Sequence, residues 1–403
     1  FLTLIIYIVF SQTTVIQAQT KQIELKDIWS SRVFSSEMVY GINPLKDGHT
    51  YAIIEKEAIN VYDYATGEFL KQLVSFEKLI PEGSDKSLSI RSYTLSEDET
   101  KILFPTETEA IYRHSTRSLY YIYDISSDKL TQLSVNGMQQ LATFSPDGNN
   151  IAFVRDNNLF VKDLSSNVEQ QITSDGKTNE IINGTTDWVY EEEFSFTQAF
   201  FWSDDSKKIA FYKMDESIVK EFQMTYFNEL YPEEYRYKYP KAGEDNSIVS
   251  IHVWNATTNE SKLMNIGNET DIYIPRIAWT RNSDELSIQR MNRLQNHLEI
   301  LIANCETGNS RLLYEEKNPY YIDITDNLRF LSDNKHFLIT SEKDGFNHIY
   351  LYDLSGKLVK QLTNGNFDIT SLYGFSQKYK KVYFQSAETS PLDRNIYSVD
   401  LKG

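Results

Sequence analysis

The residues with the clearest chemical potential form one stretch, residues 185–194, which reads Thr-Thr-Asp-Trp-Val-Tyr-Glu-Glu-Glu-Phe. Adjacent carboxylates repel each other, so keeping all of them ionised costs free energy unless a cation binds between them. An ammonium group, which has three donors and no acceptor, relieves that repulsion directly. Trp188 and Tyr190 are large aromatic residues that favour burial, and they would fix where the glutamates point. The stretch predicts a site for a primary amine, with a solvated acidic face as the alternative.

The glutamates can converge on one ligand only with a suitable backbone. Adjacent residues on a β-strand point to opposite faces of the sheet, which would separate their carboxylates. We therefore expect a helical turn or an irregular segment at this point, interrupting the strands around it.

Those strands repeat along the chain. An alternating strand that ends at an Asp or Asn turn recurs after residue 19, with turn residues Asp63, Asp124, Asp163, Asn255, Asn304, Asp353 and Asp400. The spacings are 61, 39, 92, 49, 49 and 47 residues. Repeats of this length, built from about four short strands, are typical of β-propeller blades, because one blade cannot cover both of its faces. A helical solenoid would instead show apolar spacings of three and four. We predict an all-β fold, a β-propeller with about seven blade units.

The interval of 92 residues is the exception, and it contains the glutamate stretch. It also contains a segment rich in tyrosine, residues 221–245. Long insertions in a regular scaffold often carry function. We predict that this insertion bears the binding site; the alternative is a loop that merely covers a blade edge.

Composition excludes several classes of function. The 403 residues carry a net charge of −17 and are 13% aromatic, which argues for a large core and against disorder. No basic stripe could neutralise phosphates, so neither nucleic acid nor an anionic membrane surface is an expected partner. Cys305 is the single cysteine, so an intrachain disulfide is impossible. An exported chain without disulfides favours a bacterial envelope over a eukaryotic secretory route.

The N-terminus predicts export. Residues 1–10 form a continuous apolar run, and residues 11–19 supply a small-residue cleavage site after Ala18. This pattern is typical of a secretory signal peptide, here without an initiator Met or basic start, so we interpret residues 1–18 as a truncated signal peptide. An uncleaved membrane anchor that has lost its beginning is the alternative.

Motifs for other chemistry are missing from the sequence. It contains no Gly-x-Ser-x-Gly nucleophile elbow, no His-Glu-x-x-His, no Cys-x-x-Cys and no phosphate-binding glycine loop. The six histidines are scattered without metal-ligand spacing. The sequence therefore predicts no catalytic residue, no metal and no cofactor within these 403 residues.

The stretch Asp187-Trp-Val-Tyr-Glu-Glu-Glu resembles the glutamate motif of dipeptidyl peptidase IV, in the prolyl oligopeptidase family of serine peptidases. Further agreement comes from three stretches in the family's order: Tyr112-Arg-His-Ser, Tyr239-Pro-Lys-Ala-Gly and Gln289-Arg-Met-Asn-Arg-Leu-Gln-Asn. The resemblance implies an eight-bladed propeller followed by an α/β-hydrolase domain. Residues 19–403 would then be a propeller that is incomplete at its C-terminus, with the hydrolase domain and its catalytic triad missing.

The resemblance also implies a function. The family's enzymes release Xaa-Pro, or less readily Xaa-Ala, dipeptides from the N-termini of peptides. Glu192 and Glu193 match the positions that bind the substrate's free amine, in agreement with the amine site predicted above, and Arg113 matches the arginine that contacts a substrate carbonyl. The implied partners are peptides with a free N-terminus and, in the complete enzyme, a second copy in a homodimer.

Two other functions are compatible with the sequence. A non-catalytic propeller of the cell envelope that binds peptides would show the same repeats, but it would have no reason to keep the Glu pair and Arg113 together. A sibling aminopeptidase that releases single residues or tripeptides would keep the propeller and alter the glutamate motif. The intact Glu-Glu-Glu favours the dipeptidyl peptidase.

Overall fold

The computed structural model describes residues 22–36 and 38–403. The signal peptide predicted for residues 1–18 lies outside these residues. The described residues divide into two compact units, residues 22–53 with Val61–Leu70, and Ile54–Asn60 with Lys71–Gly403. No helix among the described residues is long and apolar enough to cross a membrane.

The first unit holds the short helix α1 (Leu25–Trp29) and the start of the β-structure. Its first two strands pair antiparallel, with Asn43 opposite Ala52. The first sheet runs in the order β1 (Asn43–Pro44), β2 (Thr50–Glu55), β3 (Ala58–Asp63) and β4 (Phe69–Ser75). A single 3-10 turn, Phe76–Lys78, follows β4.

The second unit contains the remaining sheets, all of them antiparallel. The second sheet is β5 (Thr94–Leu95), β6 (Lys101–Ala110), β7 (Thr116–Asp124) and β8 (Lys129–Gln132), and the third is β9 (Gln140–Phe144), β10 (Asn150–Arg155), β11 (Asn158–Asp163) and β12 (Glu169–Gln171). The fourth sheet is β13 (Ile181–Asn183), β14 (Phe200–Trp202), β15 (Lys208–Asp215), β18 (Ile248–Asn255) and β19 (Glu260–Leu263). Its insertions are the helix α2 (Trp188–Glu193) and a hairpin of β16 (Glu221–Tyr226) and β17 (Glu233–Lys238).

Three more sheets complete the described chain. The fifth is β20 (Ile272–Trp279), β21 (Glu285–Asn292), β22 (His297–Asn304) and β23 (Ser310–Lys317), and the sixth is β24 (Arg329–Phe330), β25 (His336–Ser341), β26 (His348–Asp353) and β27 (Leu358–Gln361). The seventh is β28 (Ile369–Ser376), β29 (Lys381–Ser386) and β30 (Asn395–Asp400). Apart from the β16–β17 hairpin, the described residues thus form seven sheets, and the prediction of an all-β propeller with about seven blades is confirmed.

Each of the Asp and Asn residues that define the repeat period ends a strand, one in each of the seven sheets. Asp163 shows the reason, because its Oδ1 accepts hydrogen bonds from the backbone N–H groups of Ser165 and Ser166, at 2.9 and 2.7 Å. Asn304 makes the same turn with the N–H groups of Glu306 and Thr307. A short side-chain acceptor at this position reverses the chain into the outer strand. The repeat in the sequence is therefore a repeat of turn chemistry.

The cores lie between consecutive sheets. In β10, Ile151 and Phe153 pack in one cluster with the second sheet, whereas Ala152 and Val154 pack in another with the fourth. Strands of this kind are buried on both faces, so they read as continuous apolar runs. Further clusters join the fourth sheet to the fifth, the fifth to the sixth and the sixth to the seventh.

Candidate functional site

The glutamates lie on a helix, as the amine hypothesis required. Asp187 caps α2 by accepting a hydrogen bond from the backbone N–H of Tyr190 at 2.9 Å, and the hydroxyl of Ser247 donates to its other oxygen. Asp187 is buried, with 4% of its surface exposed, and this burial raises the pKa of its carboxyl. The helix has six residues and holds Glu191, Glu192 and Glu193 in one turn. The predicted helical turn is confirmed.

The aromatic residues of α2 hold it in place. Tyr190 is 1% exposed, and its hydroxyl oxygen accepts a hydrogen bond from the backbone N–H of Ile274 at 2.9 Å. Ile274 lies where the pairing of β20 with β21 shifts register, so this N–H is free to reach a side chain. Trp188 is half-buried and packs on Tyr239, with ring centroids 4.3 Å apart. These contacts fix the orientation of the helix, and with it the direction of the glutamates.

The three glutamates have three different environments. Glu191 is 1% exposed, and its Oε1 accepts hydrogen bonds from the backbone N–H groups of His114 (2.7 Å) and Ser115 (3.0 Å). Glu192 has a side chain that is 14% exposed, and it pairs with Arg113. Glu193 is exposed, and no side-chain partner holds it within the described part of the chain. The Glu191 carboxylate therefore holds the backbone together, the Glu192 carboxylate is paired with a cation, and the Glu193 carboxylate is unpaired.

Arg113 lies in the loop between β6 and β7. Its Nε is 3.2 Å from Oε1 of Glu192, and its side chain is 73% exposed. The two terminal guanidinium nitrogens have no partner among the described residues, so they can donate to a ligand. The structure therefore brings all three predicted residues, Glu192, Glu193 and Arg113, to one place; their roles toward substrate stay a prediction.

Glu191 is a functional candidate that the sequence did not single out. It joins α2 to the loop that carries Arg113, across 77 residues of sequence. Its second oxygen, Oε2, is buried without a hydrogen-bond partner in the described structure. The only signal in the sequence was its place in the Glu-Glu-Glu run, and that run does not tell which carboxylate faces inward.

Glu216 is a second residue that sequence reasoning missed. It is buried and lines a cavity together with Tyr112 and Thr186. Burial, and then the negative charge of Asp187, raise the pKa of the Glu216 carboxyl to about 7. An acid that titrates near neutral pH thus lies beside the N-terminal end of α2.

One group of side chains among the described residues has the composition of a metal site: His297, Glu299 and Glu315. Each carboxylate is already paired, because Arg290 lies 2.6 Å from Glu299 and Lys317 lies 2.7 Å from Glu315. Two cations this close oppose the binding of a third. The group is better described as a network of ion pairs on the fifth sheet.

Comparison with known proteins adds independent information. The family model described as the dipeptidyl peptidase IV (DPP IV) N-terminal region matches residues 96–403. A probable dipeptidyl-aminopeptidase B of Aspergillus terreus is 30% identical over 83% of this chain and 40% of its own length. The dipeptidyl aminopeptidase B of Saccharomyces cerevisiae is 28% identical over 95% of this chain and 47% of its own length.

Solved structures agree with these relatives. The crystal structure of Porphyromonas gingivalis dipeptidyl peptidase 4 superposes with a TM-score of 0.88 and 42% sequence identity, over 95% of this chain and 55% of that one. A putative dipeptidyl aminopeptidase IV from Bacteroides ovatus superposes with a TM-score of 0.73 and 25% identity, over 91% of this chain and 52% of that one. The chain spans about half the length of the proteins that it matches.

Proposed function

Because the chain belongs to the family of dipeptidyl peptidase IV N-terminal regions, we propose that it is the substrate-gating and amine-binding propeller of a serine dipeptidyl peptidase. The complete enzyme would release Xaa-Pro or Xaa-Ala dipeptides from peptides with a free N-terminus. Its chemistry would be acyl transfer to a serine in a hydrolase domain. The observation that carries the proposal is the placement of Glu192 and Glu193 side by side in α2, with Arg113 paired to Glu192.

The geometry suits an N-terminal ammonium. Glu193 offers an unpaired carboxylate, and Glu192 is held in position by the Nε of Arg113. An ammonium can donate to both carboxylates, while the free guanidinium nitrogens of Arg113 donate to a backbone carbonyl of the same peptide. Anchoring the amine fixes how far the peptide reaches beyond the site, so that cleavage falls after two residues.

The same arrangement discriminates against blocked N-termini. An acetylated amine carries no charge and one donor, so it would leave a carboxylate desolvated and unpaired. A site built around a charged donor rejects analogues that lack it far more strongly than an apolar pocket rejects a missing methylene.

The test is kinetic and uses the complete enzyme. Glu192→Ala and Glu193→Ala should each lower kcat/KM for a Gly-Pro chromogenic substrate by about 100-fold, which corresponds to roughly 3 kcal/mol. Glu260→Ala, an exposed acid on the fourth sheet, is the matched control and should keep the rate. Undiminished turnover in both site variants would refute amine anchoring. Peptide binding by the complete protein without any hydrolysis would instead favour the non-catalytic envelope propeller.

Export to a bacterial periplasm or cell envelope is a further part of the proposal. It is supported by the apolar run of residues 1–10 and the small residues up to Ala18. N-terminal sequencing of the mature protein should start at Gln19. A mature protein that retains residues 1–18 would leave the anchor as the better interpretation.

A homodimer of the complete enzyme is also proposed. The β16–β17 hairpin supports it, because its tip exposes Phe227, Leu230 and Tyr231. Exposed apolar groups of this size are typical of protein contacts. Sedimentation equilibrium should give twice the monomer mass, and Leu230→Asp should lower it toward the monomer. A monomeric wild type would exclude this assembly.

A further inference from the structure

A cavity with an acidic lining lies between the fifth and sixth sheets. Three carboxylates contribute to its wall, those of Glu316, Asp323 and Glu342. Its lining also includes the amides of Gln289, Asn318 and Asn347, and it contains no lysine or arginine. We call it the acidic cavity.

The carboxylates of the acidic cavity lack cationic partners. Neither Asp323 nor Glu342 makes a side-chain hydrogen bond or ion pair within the described residues. Glu316 accepts from two neutral hydroxyls, those of Tyr314 at 2.6 Å and Ser341 at 2.8 Å. Burial, then the negative charges of Asp368, Asp323 and Glu316, raise the pKa of Glu342. The negative charge of the cavity is therefore uncompensated by its own wall.

The side chain of Gln289 is independent evidence that the acidic cavity binds a ligand. It is 6% exposed and lines the cavity, yet its amide has no hydrogen-bond partner in the described structure. Buried polar side chains are nearly always hydrogen-bonded, so an amide without a protein partner that faces a cavity is available to a ligand there. The neighbouring lining is aliphatic and includes Leu298, Ile300 and Ile339. A ligand with an aliphatic stem and a polar head would match both parts.

The carboxylates are too dispersed for a single metal ion. Among the described residues, the group of metal-type side chains whose ligand atoms come within 4.8 Å of one another is His297, Glu299 and Glu315, none of which lines this cavity. A dispersed set of acceptors suits a longer cation with several donors, such as an ammonium or guanidinium on a flexible side chain.

Tyr321, which lines the acidic cavity, links it to the amine site. Burial raises the pKa of Tyr321, and the charges of Asp323 and Glu193 add to this, so the Tyr321 hydroxyl lies within electrostatic reach of both carboxylates. Arg276 connects α2 to the loop that follows β23. It donates a hydrogen bond to the carbonyl of Phe194, at the C-terminal end of α2, at 2.9 Å, and it pairs with Asp326 in the loop. The loop that carries Tyr321 and Asp323 is thereby held against the C-terminal end of α2.

From these contacts we propose that the acidic cavity binds the side chain of the peptide's first residue and selects lysine or arginine there. The inference rests on the proposed function, which places the amine of that residue at Glu192 and Glu193. The stem of the side chain packs on the aliphatic wall, and its head donates to Gln289 and to the carboxylates. The N-terminal residue is thus recognised twice, by its amine and by its side chain.

The experiment compares Lys-Pro with norleucine-Pro chromogenic substrates in the complete enzyme. Norleucine keeps the aliphatic stem and removes the ammonium, so the ratio of the two kcat/KM values isolates the charge. We expect a ratio of about 10 in the wild type at low salt, which falls when salt screens the carboxylates. The double variant Asp323→Asn with Glu342→Gln should bring the ratio close to one.

The matched control is Glu260→Gln with Glu306→Gln, which removes the same charge from exposed positions outside the cavity. It should keep the wild-type ratio. A wild-type ratio near one, or an equal fall in both double variants, would overturn the inference. If Gly-Pro turnover still depends on Glu193 in that case, the amine site stands; if it does not, the proposed function itself fails.

Discussion

The buried carboxylate of Glu191 allows a sharp test of how the candidate site is held together. We predict that Glu191→Ala lowers kcat/KM for Gly-Pro substrates even though Glu191 has no access to the peptide. The residue is 1% exposed, and it holds the backbone N–H groups of His114 and Ser115 next to Arg113. Without this carboxylate, the loop of Arg113 loses two hydrogen bonds to α2 and keeps the ion pair of Arg113 with Glu192.

The magnitude follows from the two hydrogen bonds. A hydrogen bond to a charged group contributes about 1.5–3 kcal/mol, so two would contribute about 3–6 kcal/mol. The substitution also removes Oε2 of Glu191, which is buried without a hydrogen-bond partner, and losing that unfavourable group offsets part of the lost stability. We expect the free energy of unfolding to fall by about 3 kcal/mol. A displacement of Arg113 by about 1 Å would lower the rate by roughly 100-fold.

The assay is a double-mutant cycle in the complete enzyme. Glu191→Ala, Arg113→Ala and the double variant are compared by kcat/KM and by urea unfolding. If Glu191 acts through Arg113, it should cost no further activity in the Arg113→Ala background, whereas its cost in stability should remain. Glu191→Gln, which keeps an acceptor oxygen, should recover part of both. Additive losses of activity, or a fully active and stable Glu191→Ala, would refute the positioning role.

Two further predictions concern the surroundings of α2. The Glu216 carboxyl has a pKa of about 7, above its ordinary 4.5, so its contribution to stability is complete below pH 4.5 and is lost as pH rises to about 7. Glu216→Gln should therefore stabilise the protein by about 3 kcal/mol at pH 8 and by little at pH 4.5, and equal effects in urea unfolding at both pH values would contradict this. Tyr190→Phe removes the acceptor for the N–H of Ile274 and should lower the free energy of unfolding by about 1–2 kcal/mol; an unchanged midpoint would show that this N–H finds another partner.

The fold was accessible from the sequence because its repeats are local. Asp163 and Asn304 each bind backbone N–H groups two or three residues away, so the same residue type recurs wherever the same turn recurs. The helical turn at the glutamates could be predicted for a related reason, since convergence of adjacent side chains is a property of the local backbone.

The inner support of the site could not be predicted in this way. The partners of Glu191 are backbone groups 76 and 77 residues away, and a backbone N–H has no signature in the sequence. The pKa of Glu216 depends on its burial beside Asp187, which is a property of packing. Gln289 was visible as part of a family-like stretch, but nothing in that stretch showed that it would line a cavity without a protein partner for its amide.

The bond between Glu191 and the 113–115 loop has a consequence for the order of folding. The apolar clusters join neighbouring sheets, whereas this bond joins an insertion of the fourth sheet to a loop of the second, past the third. Closing such a distant contact before the intervening sheets have docked would carry a large entropic penalty. The ability to bind an amine should therefore be acquired late in folding, after three successive sheets have assembled. Ligand binding could then serve as a probe of native assembly, one that distinguishes a folded propeller from a compact intermediate with correct strands.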